Sequence, residues 1–363
     1  GQSRDILRQL LAIGVPITVG SVSLSVINLL DQSITMGILQ NTWGLTEPEA
    51  AGLYGTYSYA GNLFALPAAF IYPLTISLIP AIGAALARGD RSAAGRHTAA
   101  AFRLTALLAL PAGVGLSVLA RPILELLYPA KGAATLEAAA YHLEILGIGS
   151  IFVCLMALSN GILQAYGREK VPLWTLLAGG GLKIALNYLM ISNPDYGIRG
   201  LPVSTLCCYA LITVLNLGAI ARYVPERPDY FRVFSRPGLA ALGMGAAAWW
   251  LHRLLADLLP GGLATLLAVA LAAVIYAGAA LLLGAVGREE AMALLEEQNL
   301  AHLKDEGMIA TSEIATKIAD FTYSKYMRDT RQALKDFDDG KDSMLIDDMV
   351  NMNIMLTGMV SDL

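Results

Sequence analysis

The sequence predicts an all-α, polytopic membrane helix bundle of about eight transmembrane helices, followed by an acidic helical tail. Three observations lead there. Of 363 residues, 56% are hydrophobic and only 15% charged, with a mean hydropathy of +0.57; an ordinary soluble domain is roughly 45–50% apolar and about 25% charged. Apolar runs long enough to cross a bilayer recur along most of the chain. The charge is divided: residues 1–287 hold 17 Lys and Arg against 13 Asp and Glu, whereas 288–363 hold 8 against 16. The first part therefore reads as a transmembrane bundle and the second as a separate, water-facing segment.

The apolar runs lie at about 10–38, 56–86, 99–121, 138–165, 172–192, 200–222, 238–258 and 262–286. The chain opens Gly-Gln-Ser-Arg, and its first apolar run is long, contains Pro16 and lacks a small-residue cleavage site, which argues against a signal peptide. Prolines and glycines punctuate several runs: Pro67, Pro73 and Pro80 in the second, Pro111, Gly113 and Gly115 in the third, Gly179, Gly180 and Gly181 in the fifth. Such residues are common in membrane helices, but their clustering suits helices that bend or line a cavity. Counting the basic residues of the connections gives thirteen on one side, among them Arg88, Arg91, Arg96, Arg168, Lys170 and Arg222, and four on the other: Arg121, Lys131, Arg199 and Arg253. The positive-inside rule then places both ends of the bundle, and the tail, in the cytoplasm.

Beyond Gly287 the texture changes. Eight of the twelve Met residues fall there, and helical spacing appears in Ile314, Ile318 and Phe321 and again in Met349, Met352, Met355 and Met359. These stripes predict two amphipathic helices that dock on each other, on the bundle or on a partner. The intervening Asp336–Asp342 turn misses the calcium-loop spacing, since Gly340 comes one residue early, and reads as a solvated turn.

Polar residues in apolar runs are the candidates for function. Lys183 stands about 10 residues, roughly 15 Å, from either end of the fifth run, where a charge costs something like 2.5–3.5 kcal/mol even on the lenient insertion scale. It should face the bundle interior, and Asn187 shares its face one turn later. Two roles suit it: a packing lysine tied to carbonyls, or a cation on a transport pathway. Asp31, the acid within the first run, is a partner for Lys183, a proton or cation site, or a hydrated acid near the surface. Asn28 widens its polar face. Arg103 and Glu144 sit nearer the interfaces, where anchoring is their simplest role. Trp43, Trp174, Trp249 and Trp250, with Tyr54, Tyr57, Tyr59 and Tyr72, mostly suit aromatic belts, with sugar binding the alternative role for some of them.

Cys154, Cys207 and Cys208 lie in apolar runs without metal-ligand spacing and read as packing residues. No dinucleotide fingerprint, Walker lysine, H-E-x-x-H or G-x-S-x-G occurs, and His97, His142, His252 and His302 are scattered one to an element. Neither an enzyme, a metal site, a cofactor nor nucleic-acid binding is expected.

Five phrases in order carry a family resemblance: Ala12-Ile-Gly-Val-Pro16 leading to Leu29-Leu-Asp31-Gln-Ser; Tyr72-Pro-Leu-Thr-Ile-Ser-Leu-Ile-Pro80; Leu158-Ser-Asn-Gly-Ile-Leu-Gln164-Ala-Tyr-Gly167-Arg-Glu-Lys-Val-Pro172; Lys183-Ile-Ala-Leu-Asn187-Tyr; and Gly197-Ile-Arg-Gly200. Over residues 5–295 the chain resembles the second half of the polysaccharide-precursor exporters of the multidrug/oligosaccharidyl-lipid/polysaccharide flippase superfamily, the stage V sporulation protein B group above all. The resemblance implies a C-terminal lobe plus two accessory helices of a fourteen-helix flippase in the bacterial cytoplasmic membrane, moving a lipid-linked saccharide by alternating access. Lys183, Asn187, Asn28 and Arg103 would meet the anionic substrate, and Asp31 would couple an ion or supply counter-charge. The alternatives are a cation or drug antiporter of the same superfamily and a non-transporting scaffold whose tail recruits a partner. With only one lobe present, Lys183, Asn187 and Asp31 are expected to leave a polar face open to lipid, driving association with a missing N-terminal lobe or a second copy.

Overall fold

The computed structural model describes residues 26–224 and 229–284. The chain divides into two units, Gly1–Val286 and Gly287–Leu363; the tail helices, the Asp336–Asp342 turn and the start of the first run lie outside the described residues. Every regular element among those described is helical. They are α1 (26–41), α2 (Glu47–Phe64), α3 (Leu66–Ala87), α4 (Arg91–Val118), α5 (Ala120–Leu127), α6 (Ala133–Ala165), α7 (Lys170–Ile191), a 3-10 turn at Gly197–Arg199, α8 (Gly200–Tyr223), α9 (Tyr230–Ala256) and α10 (Gly261–Leu282).

Among the described residues, six helical stretches are long and apolar enough to span a membrane, α2 and α3 forming one of them with 41 residues. The other two expected runs correspond to α1, described only in part, and to α9, whose 27 residues include Arg232, Arg236 and Arg253. α2 starts well before the expected apolar run because local chemistry starts it. Glu49 accepts hydrogen bonds from the Thr46 backbone N–H at 2.8 Å and from the Thr46 hydroxyl at 2.7 Å, with Pro at the first turn, a capping arrangement that hydropathy does not register. α5 is an element that the apolar runs do not predict. Only the first two of its eight residues fall in the third run and the rest lie in the connection that follows, yet the chain turns after α4 and lays down a short helix with Leu124 buried and Arg121 paired to Glu125 at 2.8 Å on the outside.

α6 is the central post, packing on α2, α3, α4, α5 and α8, while α7 packs on α8 and α9 on α10 and α4. It has 72% of its apolar stretch buried. Close approach is built from glycine. A methyl at Gly147 would meet the Ser117 backbone N at 2.6 Å and the Gly113 carbonyl at 2.9 Å, so α4 and α6 cross backbone to backbone, as small residues permit in membrane bundles. Gly180 admits Ile27 of α1 and Gly179 admits Ile212 of α8. Pro73, Pro80 and Pro111 lie inside continuous helices; within the α2–α3 stretch the interruption is at Ala65, just before Pro67.

The apolar core has a cluster toward each end of the bundle. One gathers Leu39, Leu124, Leu143, Leu146, Ile191 and Leu201 near the α1–α2 connection. The other gathers Phe102, Ile162, Leu163, Ile220 and Val224 near the α6–α7 connection.

Candidate functional site

Between these clusters the bundle buries charge. The Lys183 Nζ lies 2.9 Å from Asp31 Oδ2, with the two side chains 6% and 4% exposed. The other Asp31 oxygen accepts from the Asn187 amide Nδ2, and Asn187 Oδ1 accepts from the Ser204 hydroxyl, which is also 2.8 Å from the Leu201 carbonyl. One lysine, one carboxylate, one amide and one hydroxyl thus bind α1, α7 and α8 together. Burial of either charge alone would be costly; as a pair with the amide completing the carboxylate, the charge is neutralised and its lone pairs are used.

The position follows from the helices. Lys183 is 13 residues after α7 begins at Lys170 and eight before it ends at Ile191, and Ser204 is four residues into α8, so the set runs from near the middle of α7 toward the α1–α2 connection. Gly180 brings α1 against α7 one turn from Lys183. Tyr54, Tyr57 and Tyr209 lie within electrostatic reach of the pair. Tyr57 is not a belt residue: it is buried and its hydroxyl shares a 2.9 Å hydrogen bond with Thr205. Its ring meets His142 edge-on at 5.8 Å, and His142 Nε2 is 3.2 Å from the Thr56 hydroxyl.

The structure does not assemble all the sequence candidates. Asn28 is exposed on α1, beside exposed Gln32 and Ser33, and Arg103 is exposed on α4, a helix that packs on α3, α6 and α9. The expected open polar face made of Lys183, Asn187 and Asp31 is corrected: all three are buried and satisfy one another. Toward the start of the described part of α1, Asn28, Gln32 and Ser33 are polar and exposed.

A second polar set is one that the sequence reading misses. Asn216 of α8 donates to Ser159 Oγ at 3.0 Å and Asn160 Oδ1 at 2.7 Å, and accepts from Thr175 of α7 at 2.8 Å. It fastens α6, α7 and α8 toward the opposite end. A lone amide in the sixth apolar run is the available signal; its hydroxyl partners, ordinary in membrane helices, give none.

Residues 5–275 match the family described as lipid II flippase MurJ. The chain belongs to the MurJ family. Within that family and its surroundings, it is 28% identical over 265 residues to the probable lipid II flippase MurJ of Bdellovibrio bacteriovorus, covering 69% of this chain and 50% of that protein. It is 26% identical to the uncharacterized membrane protein YabM of Bacillus subtilis (59% and 38% covered) and 22% identical to that organism's stage V sporulation protein B (60% and 41%). The chain therefore spans half or less of the length of these curated relatives. Among solved structures, a lipid II flippase MurJ in an inward closed conformation superposes with a TM-score of 0.60 at 16% identity, over 76% of this chain and 54% of that one. A crystal structure of a MATE mutant gives 0.51 at 16% identity over 87% and 74%. These two likenesses establish the fold: a multi-pass membrane bundle of the MurJ and MATE type.

Proposed function

We propose that this MurJ-family chain acts as one lobe, with two accessory helices, of a transporter that flips an anionic lipid-linked saccharide precursor such as lipid II across the bacterial cytoplasmic membrane. The observation that carries the reading is the match of residues 5–275 to a flippase family, in a bundle whose interior holds a buried cation. The protein is not an enzyme in this reading; no bond is made or broken. Asp31 holds Lys183 when substrate is absent. The phosphate or pyrophosphate of the substrate competes with Asp31 for the ammonium, so that binding frees α1 from α7 and transport is tied to helix movement. Exposed Asn28 and Arg103 would offer further hydrogen bonds and charge from the surface. Both ends of the bundle face the cytoplasm, as the basic connections favour, and the site is completed by an N-terminal lobe or a second copy.

The test is native mass spectrometry of the full chain with a polyprenyl-pyrophosphate saccharide and with the corresponding unphosphorylated polyprenol. The pyrophosphate lipid should be retained in preference, and Lys183→Gln should remove the preference while Lys183→Arg keeps part of it. Equal retention of both lipids by the parent chain would overturn the substrate class.

A further inference from the structure

We propose that Arg168 and Arg222, gathered on the ring of Tyr223 at the end of the bundle opposite Trp43, form a binding site for the phosphate of an anionic phospholipid headgroup. This site lies apart from Lys183 and does not depend on the transport reading.

The geometry comes from three helix ends. α6 stops at Ala165, α7 begins at Lys170 and α8 ends at Tyr223. Gly167 has φ +67, and in that left-handed turn the Arg168 N–H donates back to the Leu163 carbonyl at 2.8 Å while the Gly167 N–H donates to Gln164 at 2.9 Å. This closing turn of α6 is one that glycine makes without strain. It brings Arg168 to the end of α8. α8 is closed after Tyr223 by buried Val224, whose N–H donates to the Ile220 carbonyl at 2.9 Å. The guanidinium carbons of Arg168 and Arg222 lie 4.5 Å and 5.9 Å from the one ring centroid.

Two like charges on a single ring repel unless something negative lies between them. Both arginines are exposed, and among the described residues neither guanidinium has an acceptor or acidic partner. The two carbons are at most about 10 Å apart, the sum of their distances to the ring. A phosphate held by both groups, with its phosphorus roughly 4 Å from each carbon, needs them within about 8 Å of each other, a closure that two exposed arginine side chains make by rotation alone. A guanidinium resting on an aromatic face keeps its in-plane N–H donors available, which is how arginine reads a phosphate with two bonds at once.

The position selects the source of the phosphate. Three membrane helices end at this level, where lipid headgroups lie, and a basic pocket at helix ends on the positive side of the membrane is suited to an anionic lipid. Exposed Lys170 adds a third positive charge. A headgroup with net negative charge balances this set better than a zwitterionic one. Glu169, half-buried beside Arg168, and Glu226, which is outside the described residues, are the nearby acids in sequence that would compete.

The full chain, purified in detergent and offered mixed phosphatidylglycerol and phosphatidylcholine, should keep phosphatidylglycerol selectively by native mass spectrometry. The double variant Arg168→Gln with Arg222→Gln should lower that retention at least tenfold, and Arg96→Gln, at an exposed arginine on the same side that already bonds Ser92 at 2.8 Å, should not. Unfolding on heating in phosphatidylcholine nanodiscs reports whether the double variant is folded. If it is not, Tyr223→Leu is the second variant, expected to lose retention where Tyr223→Phe keeps it. Undiminished phosphatidylglycerol retention in the folded double variant, or in Tyr223→Leu, would overturn the site. Displacement of the lipid by millimolar inorganic phosphate would overturn the lipid assignment, showing a site for a free anion.

Discussion

Lys183 and Asp31 are 152 positions apart in the chain, and their meeting has a large energetic consequence. Taking away one member leaves the other charged and dry, a loss of about 3–5 kcal/mol in comparable buried pairs, whereas replacing both removes the charge problem altogether. Asp31→Asn and Lys183→Gln should therefore each lower the temperature at which the detergent-solubilised chain loses its monodisperse peak, and the double variant should recover most of the loss. Additive losses in the double variant would show that the two side chains act through separate neighbours. Lys183 is legible in the sequence because a cation deep in an apolar run has to be explained, and Asn187 because it falls four residues later on the same face. Asp31 is visible as an acid, but which of its three roles it takes depends on how α1 docks, and that depends on Gly180 meeting Ile27. Ser204 and Thr205 carry no signal. A hydroxyl in a membrane helix bonds its own backbone at little cost, so its presence does not betray a tertiary partner.

Elements are legible where burial in lipid writes a long apolar run and illegible where local chemistry starts or stops a helix. The starts and ends of α6, α7 and α8 fall within a few residues of the apolar runs. α2 begins earlier through Thr46 and Glu49, and α5 is too short to write a run of its own. Glycine is also ambiguous: the sequence suggests bending, whereas Gly113, Gly147, Gly179 and Gly180 mark crossings. This makes a direct comparison possible. Gly147→Ala drives a methyl into backbone atoms of α4 that no rotamer change can move, so it should cost about 1–3 kcal/mol, as overpacking does. Gly181→Ala meets nothing within 4 Å and should gain a few tenths to about 1 kcal/mol from helix propensity. Thermal unfolding in a single detergent ranks the two; equal behaviour would mean that the α4–α6 crossing relaxes freely. The direction of these elements is testable too. Thr42 and Ser92 are exposed at opposite ends of the α2–α3 stretch. In a background without Cys154, Cys207 and Cys208, a cysteine replacing Thr42 should react with an impermeant thiol reagent from outside intact cells and one replacing Ser92 should not, the reverse pattern inverting the topology.

At the scale of the molecule, the two buried polar sets are self-sufficient but the surface is not. The buried ion pair and the Asn216 set are each satisfied among α1, α6, α7 and α8, so the motive for association drawn from Lys183, Asn187 and Asp31 does not hold. α1 supplies another. Asn28 and Gln32 are one turn apart on the same face, Ser33 is beside them, and all three are exposed in a helix bordered by exposed Leu29 and Leu30. Amide groups facing hydrocarbon without partners cost energy on the order of a few kcal/mol each, a cost that falls away when the face lines a wet cavity or meets another polar surface. The chain covers 50% or less of its three relatives described above, and two-lobed transporters hold substrate between their lobes. The α1 face is thus where a second lobe or a second copy should lie. A cysteine at Asn28, again in a cysteine-free background, should cross-link in native membranes to a neighbouring chain or a separate N-terminal lobe with a short bifunctional thiol-to-amine reagent. A control cysteine at Leu282, 90% exposed at the end of α10, should give far less product. Equal yields at the two positions would show that collisions rather than a defined interface produce the links. A single chain that flips lipid-linked saccharide in proteoliposomes, with one copy per particle by photobleaching, would show that α1 faces a cavity enclosed by this chain alone.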